Sequence, residues 1–292
     1  MFDFILVPLK WVIDQFYLLT GSHALAIALF TIVIKIPFLP LEIKQRKNTR
    51  KMAALQPKID KINERYKNDP EKRSQKTMAL YKEEKTSPFA SCLPLLIQFP
   101  ILIAMVTVMN MAANDAIMKM FLDVFNGVHA EPVIESFLWV RNIFQPDNFT
   151  AAVLPDAQTV MAQLSRARAS AVITPENLAL LEANYDTLIT PFMAQFAGFA
   201  NGWGILPILS GALQFLQTKL TPQPVSDQNQ SKNQKMMQYM MPLVSVMFCW
   251  GFNSAFALYW VMGSLVSIVQ NYFISLYYKR KDAKEAEGVL IS

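Results

Sequence analysis

Hydrophobic positions fall into long runs along the chain, separated by polar segments of unequal charge. A helix needs about 20 apolar residues to cross a hydrocarbon core, and shorter runs of strictly alternating character, which would mark strands, do not organise the pattern. Transmembrane helices are predicted over 23–41, 87–112, 203–220, 239–253 and 254–278. The fourth is short, and the Asn253-Ser254 break separates it from the fifth, so the two read as a tight hairpin of spans. Ahead of the first span, residues 1–22 place Phe2, Ile5, Leu6, Leu9, Val12, Ile13 and Phe16 on one helical stripe opposite Asp3, Lys10 and Asp14. That is the pattern of an amphipathic helix lying in the membrane interface.

Charge orients these spans. The segment 42–86 carries fourteen Lys and Arg, whereas Ala113 to Thr190 carries four, together with nine Asp and Glu. Basic loops stay in the cytoplasm, so 42–86 is expected inside and the loop 113–202 outside. Lys219, Lys232 and Lys235 around the 221–238 loop and the "KRKDAK" of the 279–292 tail then also fall inside. The result is an N-terminus outside and a C-terminus in the cytoplasm.

The inner segment has a pattern of its own. Leu55, Ile59, Ile62 and Tyr66 recur at helical spacing, and "NDPEK" supplies a stop and a start, with Asp69 as cap and Pro70 at the first helical position. Met78 and Tyr81 give the returning helix an apolar edge, which makes a basic helical hairpin. Its charge suits anionic lipid, and docking of targeting factors or ribosomes. In the outer loop, helices are predicted over Val160–Ala171 and Glu176–Leu188, the second capped by Thr174 with Pro175 following.

Composition removes several function classes. The chain is 53% hydrophobic, with 20 Phe and 16 Met, too apolar for an ordinary soluble domain. Cys92 and Cys249 lie far apart, and His23 and His129 are isolated, so neither a zinc site nor a disulfide framework is expected. There is no GxxxxGK[ST] loop and no catalytic constellation, so neither an enzyme nor a bound nucleotide, metal or cofactor is expected.

The chemistry to explain sits inside the spans. Lys35 lies in "TIVIKIPFLP", within the cytoplasmic half of the first span. A charge at that depth costs a few kcal/mol on insertion scales and faces protein or water. It either snorkels to the interface or serves a site. Other spans add Gln98, then Ser210, Gln214 and Gln217 on one face, then Trp260, Ser264 and Ser267. These groups either join helices or, with Lys35, line a wet, positively charged pocket in the inner leaflet. Pro37, Pro40, Pro94, Pro100 and Pro207 are consistent with loosened helices around it.

The second span, "SPFASCLPLLIQFPILIAM", with Cys92, Pro94, Gln98 and Pro100, is similar to the core C-x-P-x-x-x-Q-x-P motif of the YidC/Oxa1/Alb3 family of membrane protein insertases. "ILPILSGALQFLQTKLTP" resembles its third span. "MMQYMMPLVSVMFCWGFNSAFALYWVMGSLVSIVQNYFI" resembles its last two, although Asn253 and Ala255 stand where a Pro and a Gly are frequent. "FLWVRNIFQPD", Phe137–Asp147, is similar to its short outer motif.

This resemblance implies an all-α fold of five spans around a hydrophilic inner-leaflet groove open to cytoplasm and lipid. Lys35 takes the place of the usual arginine, keeping the charge and losing the planar fork. Gln98, Gln214, Gln217 and Trp260 would form the groove wall. Nascent membrane proteins would be the substrates, and the ribosome, the signal recognition particle receptor, the Sec translocon and anionic lipids the partners. The expected location is a bacterial plasma membrane of Gram-positive type. Residues 149–200 lie outside the resemblance.

Three readings stand side by side at this stage. In the first, an insertase or chaperone receives polar segments at Lys35 and releases apolar ones into lipid without ATP. In the second, a small-solute transporter uses the same polar residues; against it, no internal repeat is present, and Glu42, the nearest acid to Lys35, is only at the span boundary. The third is an assembly scaffold for other membrane proteins.

Overall fold

The computed structural model describes residues 3–84, 86, 93–220 and 228–291, excluding the side chains of 3, 93–98, 228–238, 279 and 281–291. Its described residues are helical, apart from connecting loops and one isolated bridge between Phe137 and Val140. In chain order the helices are α1 (Asp3–Thr20), α2 (His23–Arg65), α3 (Pro70–Glu83), α4 (Leu93–Phe125), α5 (Ala157–Leu164), α6 (Pro175–Leu188), α7 (Thr190–Met193), α8 (Ile205–Leu220), α9 (Gln228–Gly251) and α10 (Ser254–Ile291). A short 3-10 turn, Ala194–Phe196, follows α7.

Among the described residues, three helices are long and apolar enough to cross a membrane: α2, the Phe99–Phe125 part of α4, and the Ser254–Tyr278 part of α10. The Tyr239–Gly251 part of α9 is apolar but shorter. α8 has 16 residues, and at about 1.5 Å per residue it reaches roughly 24 Å, less than a typical hydrocarbon core. The predicted end of the first span at residue 41 is not a break. α2 continues through it for 43 residues with Pro37, Pro40 and Pro57 inside, because Lys44 to Arg65 is rich in Lys, Arg, Gln, Ala and Leu, which favour helix.

The chain folds as two compact units. The first comprises Met1–Thr31, Ile101–Ser210 and Ser245–Met262; the second comprises Ile32–Pro100, Gly211–Val244 and Gly263–Ser292.

In the first unit, the apolar stripe expected on α1 faces inward, with Ile5, Leu9, Val12 and Phe16 half-buried. Leu6 and Ile13 are buried, while Phe4, Val7, Trp11, Leu18 and Leu19 are exposed, with Trp11 at 60%. Lys10, placed by sequence on a solvent face, instead bonds Asp14 at 2.9 Å and Asp115 of α4 at 3.1 Å. Asp115 also accepts from Ser170 Oγ at 2.7 Å. The acid on α4 draws Lys10 inward beside that stripe, since a part-buried cation needs a partner. The remaining apolar side is left outward.

The outer loop is an ordered subdomain. Leu154, Val160, Leu164, Ile173, Leu181, Tyr185 and Ile189 are buried against Ile117, Met118 and Phe121 of α4. α5 starts at Ala157 rather than 160 and ends at Leu164, because Asp156 caps it by accepting from Thr159 N at 2.7 Å. Thr174 caps α6 through Asn177 N, with Pro175 next.

Glu135 ties this loop to the start of α2. It accepts from Ser22 Oγ at 2.8 Å and meets His23 Nδ1 at 2.6 Å and Ala24 N at 3.3 Å. Burial alone would raise its carboxyl, but the His23 and Ser22 hydrogen bonds outweigh that and hold it below the ordinary value of 4.5. Folding therefore favours the carboxylate. Its stabilisation is complete above about pH 4.5 and is lost as pH falls through the lower folded value. Glu135→Gln is expected to cost about 1 kcal/mol at pH 7 and to flatten the acid limb of thermal stability measured in detergent. An unchanged acid limb would contradict this role.

A second polar node lies where the loop meets α8. Asp147, fully buried, accepts from Trp139 Nε1 at 3.0 Å, Gly204 N at 3.0 Å and Leu206 N at 2.7 Å. It caps α8 from about sixty residues away in sequence, and the positive end of the helix dipole favours its charge. Gly204 is required here: its φ is +76°, and an added Cβ would come 2.8 Å from the Trp250 ring. Buried Asn201 completes the node, donating to the carbonyls of Asn142, Gln145 and Pro146.

In the second unit, the later part of α2 packs against α3. Met52, Leu55, Ile59 and Tyr81 form its apolar core, with Leu80 alongside. Asp69 caps α3 by accepting from Lys72 N, and Pro70 is its first residue. Met78, expected on the same edge as Tyr81, is exposed, because Leu80 takes the packing position.

Candidate functional site

Lys35 is held by two helices of the second unit. Its ammonium donates to Ser267 Oγ of α10 at 2.8 Å. The same nitrogen lies 3.5 Å from Glu42 Oε1, two turns further along α2. The side chains of Lys35 and Glu42 are 22% and 26% exposed. Lys35 is thus oriented across to a neighbouring helix, and a charged donor to a hydroxyl is worth about 1.5–3 kcal/mol. Pro37 and Pro40 lack the N–H groups that would bond the carbonyls of Val33 and Ile36, which keeps the backbone beside Lys35 polar.

Glu42 was expected only at the span boundary, yet it reaches the lysine because α2 is continuous past residue 41. Arg46 follows one turn later. It is 6% exposed, its Nη2 donates weakly to Leu220 O at 3.4 Å, and its Nη1 is buried without a hydrogen-bond partner. Arg50, one turn beyond, stacks over the Tyr278 ring at 4.5 Å. Residues 35, 42 and 46 are separated by 7 and 4, which keeps them on one helical face.

The other residues singled out by sequence are placed as follows. Gln214 and Gln217 share the half-buried side of α8, opposite exposed Phe215 and Leu216. Gln214 accepts from Thr218 Oγ1 through its backbone carbonyl. Trp260 belongs to the first unit, where its ring lies 5.9 Å from that of Phe256 and its indole N–H is buried without a partner. The Gln98 side chain lies outside the described residues, as does Cys92. Lys35 therefore meets Ser267 and Glu42; Gln214 and Gln217 are in its unit, and Trp260 is not. Sequence reading named Ser267 as polar without assigning it, placed Glu42 only at the span boundary, and missed Arg46. Continuing the helical register of Lys35 past residue 41 would have found both.

Among the described residues, no group of three or more His, Cys, Asp or Glu is placed to hold a metal ion. The chemistry available is electrostatic: a tethered cation, one hydroxyl, one carboxylate and a second, partly unsatisfied cation on a single face.

A family profile described as 60Kd inner membrane protein matches residues 15–282. The chain is 31% identical over 254 residues to the membrane protein insertase YidC of Fusobacterium nucleatum, covering 87% of this chain and 86% of that one. It is 32% identical over 268 residues to the protein of the same name from Clostridium perfringens, covering 91% and 84%. The protein of that name from Leptospira interrogans is 29% identical over 278 residues. Of that longer relative the chain spans 35% of the length.

Proposed function

Because the chain belongs to the 60Kd inner membrane protein family, whose relatives are named membrane protein insertases, we propose that it inserts nascent membrane proteins into a bacterial membrane by receiving their polar segments at Lys35. The observation that carries this reading is a lysine ammonium in an apolar helix, kept available by one hydroxyl and a carboxylate at 3.5 Å.

In this reading 203–220 and 239–253 cross the membrane beside the three longer helices, giving five spans with the N-terminus outside and the C-terminus in the cytoplasm. The uneven loop charge supports that orientation. Gln214 and Gln217, in the same unit as Lys35, line a hydrophilic groove with it; Gln98 and Trp260 are assigned to that wall by the family resemblance alone. The unpartnered Trp260 N–H and the half-buried glutamines suit transient hydrogen bonding to a passing polar chain. A polar tail enters the groove, and its apolar segment partitions laterally into lipid. The proton motive force and that partitioning drive the step without ATP, and the sequence has no phosphate-binding loop. The basic hairpin of α2 and α3 is the docking surface for anionic lipid, the ribosome, the signal recognition particle receptor or the Sec translocon.

Proteoliposomes carrying the purified chain are expected to insert a short single-span protein with an acidic tail severalfold better than empty liposomes. No gain would overturn the reading. The Lys35–Glu42 pair also gives a solute transporter the charge partner it otherwise lacked. Solute flux without insertion in the same vesicles would favour that reading instead.

A further inference from the structure

We propose that Glu42 is a resident competitor for the Lys35 ammonium, moving one turn along α2 to Arg46 when an acidic segment binds Lys35. The inference rests on the function proposed above and assigns a specificity-determining role to two residues of the same unit.

The geometry favours movement over a fixed ion pair. A settled ammonium–carboxylate hydrogen bond is about 2.7–2.9 Å long, whereas Lys35 and Glu42 are 3.5 Å apart and Ser267 takes the close position at 2.8 Å. Glu42 therefore neutralises Lys35 without being tightly bound to it. Arg46 is deficient in the opposite sense. Its guanidinium is almost fully buried, makes one long bond to Leu220 O, and leaves Nη1 without an acceptor. A buried donor left unmade costs free energy that any acceptor in reach would recover.

Glu42 is the acid one turn before Arg46, and the two already interact electrostatically. A glutamate four residues ahead of a basic side chain is the favourable helical order. One carboxylate thus has a loosely held cation on one side and an under-satisfied cation on the other.

The consequence is selectivity. When no substrate is present, Glu42 screens Lys35 and limits the cost of a charge in an apolar helix. A neutral polar segment offers Lys35 nothing better than Glu42 does. A carboxylate displaces Glu42, and Glu42 then satisfies Arg46, which offsets part of the displacement. When the acidic segment leaves, Glu42 returns, so Lys35 does not retain its cargo.

The test measures binding of two synthetic single-span peptides, one with an aspartate-containing tail and one with asparagines instead, to the full chain in nanodiscs. The readout is the ratio of their affinities. Glu42→Gln is expected to raise the acidic-to-neutral ratio about fivefold, the lower end of ordinary coupling between sites. Arg46→Gln is expected to lower it, and the double variant to behave like Glu42→Gln, because Arg46 acts only through Glu42. Opposite signs separate this mechanism from simple loss of fold, which would shift both peptides together. An unchanged or lowered ratio in Glu42→Gln overturns the proposal. Lys35→Ala is run alongside. If it leaves acidic-peptide binding unchanged, the Lys35 reading itself fails; if it weakens that binding while Glu42→Gln does nothing, only the competitor role fails.

Discussion

Lys35→Glu is expected to cut insertion of substrates with acidic tails at least tenfold and to prevent this chain from rescuing an insertase-depleted bacterium. The substitution does more than remove a cation. It sets a second carboxylate against Ser267 and within reach of Glu42, which lies 3.5 Å from the present ammonium. Attraction for an acidic segment becomes repulsion, and tenfold corresponds to about 1.4 kcal/mol, modest for like charges in a partly desolvated site. Lys35→Ala is expected to fall between, since polar neighbours persist without the charge. Lys35→Arg should retain function, because the guanidinium keeps the charge and adds donors. Membrane levels of each variant must be compared in parallel. Equal rescue by wild type and well-accumulated Lys35→Glu would reduce Lys35 to a tolerated charge.

The second large effect belongs to Asp147 and concerns stability. Its carboxylate is fully buried, has three N–H donors and caps α8. Asp147→Ala leaves the Trp139 indole and the Gly204 and Leu206 amides without an acceptor. The expected cost is about 3 kcal/mol or more, given 1–3 kcal/mol for each buried group left unsatisfied. Asp147→Asn keeps the shape but turns an NH2 toward groups that are themselves donors, so it should recover little. Gly202→Ala tests the node independently: its Cβ would clash with Asp147 Oδ1. All three should lower the thermal midpoint in detergent by roughly 5–10 °C. A midpoint for Asp147→Ala within 2 °C of wild type would show that the cap is dispensable.

These residues differ in how visible they were in the sequence. Lys35 stood out because a charge within an apolar run breaks a strong pattern. The starts of α3 and α6 were legible because Asp69-Pro70 and Thr174-Pro175 combine a cap with a residue that favours the first helical position. Asn201 gave no signal, and Asp147 only as the last residue of the outer-motif resemblance, since a polar residue in a polar loop has no periodicity, and their burial is set by partners far along the chain. Lys10 and Asp14 were read as a solvent face because a helical wheel cannot show Asp115, which draws that face inward. Glu42 and Arg46 were lost to a boundary placed where hydrophobicity ends, whereas the hydrogen-bonded backbone of α2 continues.

The docking of α1 has a consequence for how this protein is itself made. Its partners come late: Asp115 lies far downstream of Lys10, and His23 waits 112 residues for Glu135. At about 5–20 residues per second of synthesis, that wait is roughly 5–20 s. Throughout it, Lys10 pairs with Asp14 without Asp115. The outward side of Phe4, Val7, Trp11, Leu18 and Leu19 is available throughout that wait. Lipid can therefore hold the first helix in place on the nascent chain until the rest of the fold arrives to receive it.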